Sequence, residues 1–138
     1  MTDDTLAPLV GEWTQRAFGT TGTATFEWAL GERFLLERSS APDPAPDGLM
    51  VIAPDESTGA YRQHYFDSRG VVRVYKMIIA NGVWTLLRDE PDFSPLDFQQ
   101  RFTGRFSDDG SCIEGYWERS DDGGTWELDF ELVYERVR

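Results

Sequence analysis

Apolar and polar residues alternate with period two along most of the chain. The last segment is the clearest case. Trp126, Leu128, Phe130, Leu132 and Tyr134 alternate with Glu127, Asp129, Glu131 and Glu135, and Val133 alone breaks the pattern. One face is apolar and the other acidic, so the segment reads as a strand with one wet side. A helix would scatter those rings around its circumference.

Earlier segments repeat the theme. GEWTQRA, Gly11 to Ala17, opens the series, and GTATFEWAL places Ala24, Phe26, Trp28 and Leu30 on one face. After a turn at Gly31, ERFLLERSS continues with Phe34 and Leu36. GLMVIAPD, AYRQHYFD, GVVRVYKMIIA, GVWTLLRD, FQQRFTGRFS and SCIEGYWERS follow. Asn81-Gly82 lies between two apolar runs, which is a strong short hairpin signal. The stretch Ala41–Gly48 carries three prolines and no periodicity, and Glu90–Leu96 holds Pro91 and Pro95, so both read as loops.

About ten strands, joined mostly by tight turns and with no more helix than one turn near Leu6–Val10, predict an all-β protein. Nearly every connection reads as a hairpin. The expected architecture is therefore a single up-and-down antiparallel barrel that closes on itself and removes its edges. A barrel of about eight strands is just wide enough to be filled by side chains or to hold one small ligand, and ten strands make it wider. An internal cavity is expected on that geometry.

The length of 138 residues fits one domain, 1–138. Cys112 is the single cysteine and His64 the single histidine, which excludes an internal disulfide and leaves any zinc site to rest on carboxylates. The net charge of −12 makes nucleic acid and anionic membrane surfaces poor partners. The start, MTDDTLAPLVGEW, has acids and neither a basic nor an apolar region, so it does not read as a signal peptide, and the expected location is the cytoplasm. No motif for a nucleotide, a metal or another cofactor is present, and no catalytic constellation stands out.

The tetrapeptide SDDG occurs twice, at Ser107–Gly110 and at Ser120–Gly123. Neither copy has the alternate-position oxygens and the terminal glutamate of a calcium loop, and both lie between alternating segments. They are read as hairpin turns, in which Asp tolerates and Gly freely adopts the left-handed backbone.

Taken in order, LVGEW, WALGERFLLE, YFDSRGVVRVY, QRFTGRFSDDG and ERSDDGGTWELDFELVYERV resemble an uncharacterised bacterial family of lipocalin-like barrels of the calycin type. The early Gly11-x-Trp13 is also similar to that of lipocalins, fatty-acid-binding proteins and nitrobindins. The resemblance implies a barrel with a cavity for a small, largely apolar ligand. Nitrobindin-like proteins bind haem through a histidine near the C-terminal end, and Thr125 to Arg138 contains none.

The function expected from these readings is the binding of a small hydrophobic molecule. Trp28, Trp84, Phe102, Trp117 and Trp126 are the candidate apolar walls, and Tyr75, Arg88 and His64 the candidate polar anchors. The loops Ala41–Gly48 and Glu90–Leu96 are candidates for covering the mouth. His64 shares a face with Arg62 and Phe66, while Tyr61, Gln63 and Tyr65 share the other, and periodicity does not say which points inward. Two alternatives stay open: a cyclase- or isomerase-type barrel enzyme with His64 or Tyr75 as acid or base, and an interaction subunit pairing through an exposed wall, for example as a homodimer.

Overall fold

The computed structural model describes residues 5–137. The acidic start read above, Met1–Asp4, lies outside them. A short 3-10 turn, Ala7–Leu9, leads into β1 (Gly11–Ala17), β2 (Thr20–Ala29), β3 (Phe34–Ser40), β4 (Gly48–Asp55) and β5 (Ala60–Asp67). β6 (Val72–Ala80), β7 (Val83–Arg88), β8 (Gln99–Phe106), β9 (Cys112–Ser120) and β10 (Glu127–Arg136) complete the chain. Each strand pairs antiparallel with the next, and β1 pairs with β10, so the sheet is a closed ten-strand barrel. Among the described residues, no helix is long and apolar enough to cross a membrane.

The alternation in the sequence is the alternation of the wall. Trp13, Phe26, Leu35, Ile52, Met77, Trp84, Phe102 and Ile113 point inward and are buried. Most acids and arginines take the outer face, where Arg101 pairs with Glu118 at 2.7 Å across β8 and β9. At one end, here called the base, the 3-10 turn packs Leu6 and Leu9 against Trp13 and Ile113, and the indole N–H of Trp13 donates to the Leu9 carbonyl at 2.9 Å. At the other end, the mouth, lie the segments 41–47, 68–71, 89–98 and 121–126.

Both SDDG copies are turns between consecutive strands. Asp109 Oδ1 accepts from the backbone N–H and the hydroxyl of Ser111 and from the Ser107 hydroxyl. Asp122 Oδ1 accepts from the N–H groups of Gly124 and Thr125 and from the Ser120 hydroxyl. Each carboxylate is thus occupied in holding its own turn, and these bonds keep Asp109 down to about 2.

The last strand differs from its expected register. Leu128 lies opposite Glu118 but Phe130 opposite Trp117, so β10 advances two residues while β9 advances one. This β-bulge turns Leu128 outward, where it is 60% exposed, and leaves Phe130, Leu132 and Tyr134 as the inward set. Trp126 falls before the strand and stacks under the guanidinium of Arg101, 4.2 Å from the ring centroid. Period-two alternation continues on paper through the bulge but not in space.

Candidate cavity at the barrel mouth

The interior is filled at the base and hollow at the mouth. Phe26, Trp84 and Tyr134 form a layer of rings with centroids 5.7–6.3 Å apart, each meeting the next edge-on or tilted. Above this layer opens a cavity of about 640 Å³. Trp84, Leu86, Phe102, Trp117, Phe130 and Leu132 line it, with Tyr75 packed against Trp117 at 5.4 Å, and Met50, Tyr65 and Val71 complete the lining. Small inward residues on the first three strands, Ala17, Gly22 and Ser39, leave the room.

One glycine pairing seats this wall. Gly104 and Gly115 lie opposite each other on β8 and β9. A Cβ on Gly115 would fall 2.6 Å from the Phe102 ring and 2.8 Å from the Leu132 carbonyl oxygen, so the ring lies directly on bare backbone. At the rim, a Cβ on Gly22 would fall 2.5 Å from the Ser40 carbonyl oxygen and 2.9 Å from Ala41 Cβ. The proline-bearing segment 41–46 thereby folds close over the rim and lines the cavity, as does Phe18, which is 79% exposed and stacks on Phe130 at 4.8 Å.

Several polar side chains reach the cavity surface, most of them near its rim or held by protein partners. The Tyr75 hydroxyl donates to Gln100 Oε1 at 3.1 Å, and burial pushes its pKa up. The Tyr65 hydroxyl donates to Asp67 Oδ2 at 2.7 Å, while Arg69 pairs with the same carboxylate at 2.6 Å. Burial opposes ionisation of Asp67, but Arg69, Tyr65 and the backbone N–H groups of Arg69 and Val71 outweigh it and bring its pKa to about 2. Arg73 reaches the cavity with a single long bond, to its neighbour's carbonyl at 3.4 Å.

Deeper in, Gln63 is 1% exposed, and its amide N–H donates to the Met50 sulfur at 2.9 Å. Glu37 is fully buried and accepts from the Tyr134 hydroxyl at 3.3 Å. Burial raises its pKa to about 8, against the lowering effect of that bond. Glu37 Oε1, Gln63 Oε1 and the Trp84 indole N–H have no protein hydrogen-bond partner.

Of the residues singled out in the sequence, Tyr75, Trp84, Phe102 and Trp117 come together on the cavity surface. Trp28 is inward and packs against the core but not against the cavity. Trp126 lies outside the wall on Arg101. His64 pairs with Val51 and Val74 on the outer face, because Gln63 is the inward residue of that strand. Arg88 is inward and 2% exposed, but its guanidinium is spent on the 89–98 segment. It makes two bonds to Asp92, at 2.8 and 3.0 Å, and reaches the carbonyls of Ser94 and Pro95.

The period-two pattern does not single out Glu37, Gln63 or Arg73. A glutamate in LLERSS looks like the wet face of a strand, and β3 offers little contrast to decide otherwise. Gly104 and Gly115 carried a usable signal, since an isolated glycine inside a strand marks a close backbone approach.

No protein-family model and no curated protein matches the chain. Among solved structures, the barrel is similar to that of Rv2717c from M. tuberculosis, with a TM-score of 0.65 at 14% identity over 100% of both chains. That likeness covers every strand, and at this identity it speaks for the fold alone.

Proposed function

We propose that this chain is a lipocalin-like binding protein whose mouth-side cavity holds one small, largely apolar molecule. The observation that carries the reading is the cavity itself: about 640 Å³, walled by Trp84, Phe102, Trp117 and Phe130, inside an otherwise packed barrel. Ligand pockets usually measure roughly 300–1,000 Å³ and combine apolar walls with a few placed polar groups. The polar groups here, Tyr75–Gln100 and the deeper Gln63, fit that description. The rim supports it too, because Phe18 and the segment 41–46 lie where a guest would enter.

Native mass spectrometry of the freshly purified chain tests this. One retained small molecule per chain, released on unfolding, is the expected result. A chain at its bare mass that also takes up no apolar molecule of about six to ten carbons, a size suited to such a pocket, removes the reading.

A further inference from the structure

We propose that Glu37, Gln63 and Tyr134 form a head-group subsite at the inner end of the cavity, which takes the amine of an otherwise apolar ligand. This rests on the cavity-binding reading above and adds the chemical class of the guest.

Glu37 and Gln63 are fully or almost fully buried, and each keeps an oxygen without a protein donor. Tyr134 spends its one hydroxyl proton on Glu37, and Gln63 spends an N–H on the Met50 sulfur. Leaving a buried acceptor unmatched is costly, so a guest that brings donors is favoured over one that brings only acceptors. Once a guest's charge ionises Glu37, its Oε1 and Gln63 Oε1 are two unmatched acceptors, against one unmatched donor, the Trp84 indole N–H. A primary ammonium carries three N–H donors and no acceptor.

Glu37 does not line the cavity itself, and contact requires a neighbouring side chain to move. Met50, opposite Glu37 on β4, and Tyr134, bonded to it from β10, both line the cavity, so Glu37 stands one side chain behind its surface. Met50 is unbranched and adapts its shape readily. Phe26 faces Glu37 from β2 and Met50 from β4, leaving Tyr134 as the ionisable group against it. No lysine or arginine among the described residues pairs with Glu37, so the compensating positive charge is left to a guest. Burial favours the protonated carboxyl until a counter-charge reaches it. An entering ammonium pairs with the carboxylate, and that proton passes to solvent. The net charge of −12 also draws cations toward the protein.

The test compares octylamine, 1-octanol and octanoate by calorimetric titration, on the wild-type chain, on Glu37→Gln and on Tyr134→Phe. Octylamine is expected to bind roughly tenfold or more tightly than octanol, the worth of a charge-assisted hydrogen bond. Its binding heat should vary with buffer as the release of a proton requires. Glu37→Gln should erase the preference, while its circular dichroism and cooperative unfolding stay those of the wild type. Tyr134→Phe should keep the preference for the amine. Equal binding of amine and alcohol by the wild type overturns the subsite and leaves the cavity reading standing. Tighter binding of octanoate also overturns it and moves the head group to Arg73 at the mouth. No binding of any probe overturns both readings.

Discussion

The guanidinium of Arg136 lies over the ring of Trp13, 4.2 Å from its centroid, joining the last strand of the barrel to the first. The two residues are also ladder partners. The same guanidinium donates to the carbonyls of Pro8, Val10 and Gly110, at 2.6, 2.7 and 3.2 Å. One side chain therefore ties the 3-10 turn, the first SDDG turn and the β1–β10 seam together. Arg136→Ala should cost about 2–4 kcal/mol, because it strips three carbonyls of a charged donor and removes a cation–π contact. Arg136→Lys should recover less than half, since a point charge cannot serve three carbonyls in a plane. Urea denaturation with unchanged m-values checks both.

Arg88 and Asp92 make the second strap. Their side chains are 2% and 6% exposed, and Asp92 also accepts from the N–H groups of Val74 and Ser94. Their bond favours the charged form of both partners, holding Asp92 well below and Arg88 above its ordinary range. Removing one partner of a buried pair leaves the other uncompensated, so Arg88→Met or Asp92→Asn should each cost roughly 3–5 kcal/mol. A double-mutant cycle should show strong coupling. Affinity for a cavity ligand should change by less than about threefold, within ordinary mutational scatter, because the pair does not line the cavity.

Glu37 predicts an unusual pH dependence. Unfolded, it ionises near 4.5; folded, it keeps its proton to about 8. The folded state binds this proton more tightly, so the group's contribution to stability is full below about 4.5 and falls away as pH rises to about 8. The slope is at most about 1.4 kcal/mol per pH unit. Glu37→Gln should remove that decline. Denaturation midpoints of the two proteins, followed from pH 5 to pH 9, should therefore diverge at the alkaline end in favour of the variant. Parallel profiles would contradict the assignment.

The glycines under Phe102 can be told apart. At Gly104 an added Cβ meets side-chain atoms of Ile113 and Phe102 at 2.9 Å, whereas at Gly115 it meets the Phe102 ring and a backbone carbonyl at 2.6–2.8 Å. Side chains can move more cheaply than a strand. Both alanine variants should lose about 1–3 kcal/mol, with Gly115→Ala the larger. Thermal unfolding measures the order directly.

Much of the fold was legible because the barrel repeats one rule. Period-two stretches such as Trp84–Leu86–Arg88 and turns such as Asn81-Gly82 each predict their local geometry, and closure follows from ten such units. The site was less legible where that rule is silent. In YRQHYF both faces carry rings and polar groups, so only the ladder shows Gln63 inside and His64 outside. The bulge between Leu128 and Phe130 shifts the face of everything before it, which put Trp126 on the wrong side of the expected strand. Glu37 is hidden from pattern reading for a plainer reason. A glutamate at an inward position breaks the correlation between polarity and exposure on which such reading depends.

The five tryptophans offer the most direct test of ligand binding in the cavity. Trp84 and Trp117 line it, Trp13 is locked at the base on the Leu9 carbonyl, and Trp126 lies outside on Arg101. Two-dimensional proton–nitrogen NMR resolves each indole N–H during a titration with 1-octanol. Saturable shifts at Trp84 and Trp117, with Trp13 and Trp126 unmoved, are expected. Shifts at Trp126 alone, or none at Trp84 and Trp117, would contradict binding in the cavity.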